Sequence, residues 1–185
     1  MSVWVTLRSW EDERAHSVGL SVHYANTGKA DRRSYDKSKL QPDNDRASID
    51  SARAEIGVAR AYCGYWHGGH WDSSQHFKHQ SLHADISLRR LVSGRIVEFG
   101  LEVKRRRTGH RVPVDQKDYD NGHLIVWAQV YGCDAEHHFP RVEILGEAKA
   151  RDIWDGATPW GEDTKRRWFS PDLLTSPSIV EGMTD

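Results

Sequence analysis

The chain has little of what marks secreted, membrane or disulfide-stapled proteins. It holds two cysteines, Cys63 and Cys133, too few for a disulfide framework, and this leads us to expect a cytoplasmic setting. Mean hydropathy is low, and no run approaches the roughly 20 apolar residues that cross a bilayer. Residues 1–10 lack the basic-then-apolar layout of a signal peptide. Neither sign of charge dominates. With 26 Lys and Arg against 27 Asp and Glu, the net charge of −1 names no partner by bulk electrostatics. Internal repeats and long low-complexity tracts are missing. So are a phosphate-binding Gly-x-x-x-x-Gly-Lys loop, a dinucleotide fingerprint and a Gly-x-Ser-x-Gly elbow.

The 185 residues suffice for one domain, 1–185, with a sizeable core. Over 8–24 the spacing of Trp10, Ala15, Val18 and Val22 predicts an amphipathic helix. Residues 26–45, polar and containing Gly28 and Pro42, read as a flexible loop. A second helix begins near Asp45 to Ser48, buries Ile49, Ala52, Ile56, Ala59 and Cys63, and ends at Gly64. Residues 65–83, rich in His, Gly, Ser and Trp, read as a loop. Strands follow at 83–91, 95–106, 123–131 and 141–145, the last with scope to continue through Lys149. Residues 151–185 read as an irregular C-terminal extension in which Trp154, Trp160 and Trp168 staple loops to the core. This order predicts an α+β fold, a mixed central sheet with N-terminal helices packed mainly on one face.

The two middle strands flank Ser93-Gly94, a two-residue turn signal. Folding the chain about that turn sets Asp85 opposite Glu102, with Cβ atoms about 5 Å apart. The same register puts Ala84, Ile86, Leu88, Val97, Phe99, Leu101 and Val103 on a core face. It puts Ser87, Glu98, Gly100, Glu102 and Lys104 with Asp85 on the other. Two carboxylates so close repel each other unless a cation joins them, and a divalent metal is the simplest remedy. Glu55, on the border of the second helix's buried stripe, is a third acidic group placed to lean toward the pair. Arg89, Arg105, Arg106, Arg107 and Arg111 crowd the hairpin, which reads as a groove for a polyanion such as nucleic acid.

A helix acid (Glu55), a hairpin acid (Asp85) and an apolar strand ending Glu102-Val103-Lys104 together resemble the PD-(D/E)XK nuclease superfamily. The stretch 51–61, SARAEIGVARA, followed by the hairpin and the 123–131 strand, is similar to its small phage and actinobacterial members. The likeness covers about residues 45 to 150. Ala84 stands where the proline of the family name would be. The resemblance implies a restriction-endonuclease-like core and a Mg²⁺- or Mn²⁺-dependent nuclease acting on DNA in the cytoplasm of a bacterial host. It implies Asp85, Glu102 and the Val103 carbonyl as metal ligands, Lys104 beside the attacked phosphate, and Glu55 acting through the metal's water shell. Many enzymes with such a core act as homodimers.

Other readings stand beside it. A non-catalytic nucleic-acid- or protein-binding domain on the same scaffold would use the same residues. Glu147-Ala148-Lys149 repeats the Glu-x-Lys spacing after Asp134. Cys63-x-x-x-His67 and Cys133-x-x-x-His137, with His70 and His138 as substitutes, offer four ligands for structural zinc. His76, His79 and His83 read as surface residues. The polar run 115–119 reads as a connection with some scope to position a substrate.

Overall fold

In the computed structural model, residues 2–30, 44–70, 84–106 and 111–179 are described. Strand β1 (Val3–Thr6) leads into helix α1 (Ser9–Ala30), and helix α2 (Asn44–Tyr62) into the short β2 (Tyr65–Trp66) and a 3₁₀ turn (His67–His70). The hairpin is β3 (Ile86–Val92) and β4 (Arg95–Arg105). After it come β5 (Val112–Asp115), helix α3 (Gln116–Asn121), β6 (Leu124–Tyr131), β7 (Arg141–Lys149) and helix α4 (Ala150–Ile153). Strands β8 (Thr158–Trp160) and β9 (Asp163–Phe169) and a 3₁₀ turn (Pro171–Leu173) complete the chain. It is an α+β fold.

Six strands form the main sheet in the order β1-β7-β6-β4-β3-β2. All neighbours are antiparallel except β4 and β6, which run parallel. A parallel step needs a crossover, because the chain must return to the starting edge. Here β5 and α3 make that return, and this places α3 beside the C-terminal half of β4.

Helices α1 and α2 cover one face. Ile86, Leu88, Leu101, Val126, Ala128, Val142 and Ile144 point into that core beneath Ala52, Ile56, Val58 and Ala59 of α2. Full burial of each large aliphatic side chain stabilises the fold by about 1.5–3 kcal/mol. Two glycines let α2 pack closely, one against α1 and one against β7 of the sheet. A Cβ at Gly19 would lie 2.4 Å from the Cα of Ile49, and one at Gly57 would lie 2.6 Å from Val142. Arg53 of α2 ties the helices together through Asp12 of α1 at 2.7 Å, and Asp50 of its own helix holds it at 3.1 Å. The expected second helix is present almost residue for residue. The first runs through Ala30, so residues 26–30, expected in the flexible loop, are helical, as are Asn44 and Asp45.

The opposite face departs from expectation. Alternation along β6 sends Ile125 and Trp127 away from the helices, and there they meet Val112, Val114, Ala148, Ala150, Ile153, Trp154 and Phe169. A second sheet, β5-β9-β8, supplies part of this cover. The segment 151–185 is therefore not wholly irregular: it contributes two strands, a short helix and Trp154, which is buried with Arg167 stacked 4.5 Å from its ring centroid. Trp160 stays largely exposed. The core face of the hairpin is also shorter than expected. Ile86, Leu88 and Leu101 are buried, but Phe99 is exposed and Val97 only half-buried, because the tip projects beyond the helices.

Candidate metal centre

The hairpin turns as its sequence dictates. Ser93 and Gly94 both take positive φ, 50° and 77°, the type I′ geometry whose twist matches the strands. Ile86 pairs with Leu101 and Val92 with Arg95, so Asp85 immediately precedes the first pair and stands level with Glu102. Asp85 has already bent out of the strand. Its Oδ2 accepts a 2.8 Å hydrogen bond from the Val103 amide, and Val103 thus meets Asp85 through its N–H.

Glu102 and Lys104 lie level with Ile125 and Trp127 of β6, which puts both on the face away from α1 and α2. Both are buried. Lys104 Nζ sits 3.1 Å from Glu102 Oε1, 3.1 Å from Asp118 Oδ2 and 3.3 Å from Asp115 Oδ2. Lys117 approaches the same Glu102 oxygen at 3.0 Å, and Arg166 holds Asp115 at 2.6 Å.

Helix α3 is what brings Asp118 here. Asp115 is its extended N-cap, and Asp118 Oδ2 accepts from the Asp115 amide at 3.0 Å, the reciprocal half of a capping box. Gly122 closes the helix at φ 65°, and the next amide, that of His123, donates to Asp118 O at 2.9 Å. His123 Nδ1 then lies 3.5 Å from Asp118 Oδ1. Glu102, Asp118 and His123 each place one ligand atom within 4.8 Å of the others.

From the helix side, Glu55 accepts a 2.7 Å hydrogen bond from the Trp66 indole. Burial raises the Glu55 carboxyl to about 7 against the indole's opposing pull, and the charge of Glu102 adds to the rise. Burial likewise holds Asp85 well above the usual carboxylate range, reinforced by Glu102 and Glu55 and opposed by the Val103 amide and Lys104. Asp118 goes the other way. Burial works against its charge, yet His123, Lys104 and the Asp115 amide hold it at about 2. For Lys104 too, burial disfavours the charge, and Glu102, Asp118 and Asp115 outweigh it and raise its pKa.

The five carboxylates of Glu55, Asp85, Glu102, Asp115 and Asp118 face the cations of Lys104, Lys117 and Arg166, a formal excess of two negative charges. Protons on Asp85 and Glu55 cancel it in one way, a divalent cation in another. The donor set fits Mg²⁺, a hard ion that prefers carboxylate oxygens and keeps several waters. Buried Glu102 Oε2, which has no hydrogen-bond partner, is an oxygen free to ligate it.

The expected quartet Glu55, Asp85, Glu102 and Lys104 therefore shares one electrostatic neighbourhood. The arginines do not gather there. Arg89 pairs with Glu98 at the exposed hairpin, and Arg105 reaches Asp50 of α2 at 3.6 Å. Arg106 stacks 5.4 Å from the Trp127 centroid, and Arg111 lies 4.3 Å from that of Trp168. Arg107, His76, His79, His83 and most of the 26–45 segment fall outside the described residues.

The rival constellations come apart. Glu147 is buried and accepts from the Tyr62 hydroxyl and, at 3.1 Å, from the Ser178 amide, while Lys149 is exposed and Asp134 sits in the loop after β6. Cys63 and Cys133 are both exposed. His67 bonds Ser87 and His137 bonds Asp134, and among the described residues these four form no three-ligand cluster. Asp115, Lys117, Asp118 and His123 are the residues whose weight the sequence concealed. The signal was the Asp-x-x-Asp capping pattern ahead of Gly122-His123. No family model matches this chain, and no curated protein or solved structure matches it.

Proposed function

We propose that the chain is a Mg²⁺-dependent nuclease with a restriction-endonuclease-like core, hydrolysing DNA phosphodiester bonds on the PD-(D/E)XK plan. One observation carries this reading: Glu55 from a helix and Asp85 from the hairpin margin both lie near enough to Glu102, two residues before Lys104, for its charge to add to the rise of their carboxyl pKa values. The mixed sheet, its parallel β4–β6 step and the N-terminal helices on one face support the restriction-endonuclease-like assignment.

Asp85 and Glu102 would hold the ion. A bound Mg²⁺ supplies Lewis acidity toward the phosphodiester and lowers the pKa of a bound water. Lys104, kept charged by the acids around it, offers positive charge where negative charge grows on the phosphate. Glu55, with a pKa of about 7, exchanges a proton readily near neutral pH, as a group serving the attacking water must.

The test is incubation of tag-free protein with plasmid and linear DNA in Mg²⁺ or Mn²⁺, beside Asp85→Asn and an EDTA control. Cleavage by the native chain, reduced at least ~100-fold in the variant, is the expected result. Equal cleavage by both proteins would remove the site from the reaction.

A second reading, a binding domain without turnover, is favoured by one feature: Lys104 and Lys117 already engage Glu102, which leaves the cluster partly neutralised from within. Metal binding with no cleavage of any nucleic acid would select it.

A further inference from the structure

We propose that Glu102, Asp118 and His123 form a second cation position, one built for a first-row transition metal and separate from the Asp85–Glu102 position. The three residues come from β4, α3 and the start of β6, and all three are more than nine-tenths buried, at 6 %, 0 % and 5 % exposure. Each keeps one buried polar atom without a hydrogen-bond partner: Glu102 Oε2, Asp118 Oδ1 and His123 Nδ1. Unsatisfied buried polar atoms each cost a fold about 1–3 kcal/mol, so three of them on residues whose ligand atoms come within 4.8 Å of one another need an explanation. A metal ion supplies it, since the two carboxylate oxygens are lone-pair donors and His123 Nδ1, which faces Asp118 Oδ1 at 3.5 Å, becomes one when it carries no proton.

The opposite edge of each carboxylate is already occupied. Lys104 and Lys117 take Glu102 Oε1, while Lys104 and the Asp115 amide take Asp118 Oδ2. These partners act as an outer shell that fixes how the free oxygens point, as such shells do around metal ligands. The His123 ring is set by backbone bonds on both sides, its amide on Asp118 O and its carbonyl accepting from the Ala150 amide at 3.0 Å. Gly100 makes room for it: a Cβ there would lie 2.7 Å from His123 Cδ2. Lys117, half-exposed over Glu102, marks the solvent side from which an ion enters.

The donor set decides the class of ion. One imidazole nitrogen with two carboxylate oxygens suits Mn²⁺, Fe²⁺, Co²⁺ or Zn²⁺, whereas Mg²⁺ prefers oxygen alone. Glu102 belongs to both positions, its Oε2 facing either ion, but Asp118 and His123 belong only to this one. The inference therefore stands or falls apart from the nuclease reading.

Two measurements on tag-free, full-length protein test it. Pulsed electron paramagnetic resonance of the native chain with stoichiometric Mn²⁺ reads a ¹⁴N coupling when an imidazole ligates the ion directly. Calorimetric titration with Mn²⁺ and Co²⁺ then compares the native chain, His123→Gln and Asp85→Asn. The expected result is a ¹⁴N coupling that His123→Gln abolishes, with metal affinity reduced at least tenfold in that variant and retained in Asp85→Asn. Absence of the coupling in the native chain overturns the proposal without any variant. So does a coupling that persists in His123→Gln, which would trace the nitrogen to a surface histidine. Loss of all binding in Asp85→Asn alone would leave the Asp85 position standing and remove this one.

Discussion

Asp85 Oδ2 accepts the Val103 amide at 2.8 Å, so the carboxylate stands in for the backbone carbonyl that β3 would have offered had it continued two residues further, to Ala84. The same side chain thus finishes a strand ladder and faces Glu102. Its two duties are separable by chemistry. Asparagine keeps an acceptor oxygen for the amide but loses the charge a metal needs, whereas alanine leaves the Val103 N–H without its partner.

From this we expect Asp85→Asn to melt within a few degrees of the native protein while losing the rise in melting temperature that Mg²⁺ gives the native chain. Asp85→Ala should cost about 1–3 kcal/mol more, the penalty of an unmet buried donor. Thermal scans of the three proteins with and without metal decide it. Equal metal response in Asp85→Asn would take this residue out of the centre.

Stability without metal should fall as pH rises through the range set by Glu55 and Asp85. Both have folded pKa values above their ordinary ones, Glu55 at about 7 against 4.5, so the folded state binds more protons than the unfolded state in that interval. The slope of stability with pH is then negative between about 4.5 and 7. Asp118 has the opposite sign but acts lower, gaining stability as pH rises from about 2 to 3.8. These groups together predict a maximum in mildly acid solution. A saturating divalent ion should flatten the fall above it, because the metal replaces the protons. A metal-free profile that rises from pH 5 to 7 would contradict the clustering of these acids.

Removing Lys104 should be costly for the fold as well as for any activity. Lys104→Met leaves Asp118, which is fully buried, with one cationic partner fewer, and leaves Asp115 and Glu102 less balanced. Breaking a buried ion pair from one side costs about 3–5 kcal/mol. Denaturant unfolding should show that loss, and Mg²⁺ should restore part of it by supplying the missing charge. A loss below about 1 kcal/mol would mean that the ammonium is solvated and its three contacts are loose.

Gly100→Ala should act through His123. The added methyl would sit 2.7 Å from both Ala84 Cβ and His123 Cδ2, so the strand or the ring must shift. We expect destabilisation of about 1–3 kcal/mol, typical of overpacking. The Mn²⁺ affinity of the His123 position should fall with it, while Mg²⁺ binding at Asp85 is retained. A crystal structure of the variant with His123 unmoved would refute the role given to this glycine.

Local signals carried the hairpin. Ser93-Gly94 needs only two residues to declare a type I′ turn, and the alternation of Ile86, Leu88 and Leu101 fixed the register that sets Asp85 level with Glu102. Helix α2 was equally plain, because its apolar stripe from Ile49 to Cys63 spans about four turns. The second sheet was hidden for a physical reason. Strand β5 has four residues, too few for a periodic pattern, and its partner β9 lies some fifty positions away, so neither declares itself without the other. Asp118 and His123 were obscured in the same way. A six-residue helix shows no periodicity, and its approach to β4 follows from the parallel crossover, a property of topology that local composition does not carry. Arginine clustering in sequence misled for the converse reason: alternation sends Arg105 to Asp50 on the helix side while Lys104 stays with Glu102.

The most direct measurement is anomalous diffraction from a crystal of the tag-free protein soaked in Mn²⁺. The account predicts a peak within roughly 2.0–2.6 Å of carboxylate oxygens from both Asp85 and Glu102, the range of oxygen ligation for such ions. A fully soaked crystal with no peak between those two side chains, and with Lys104 and Lys117 still closing on Glu102, would contradict it.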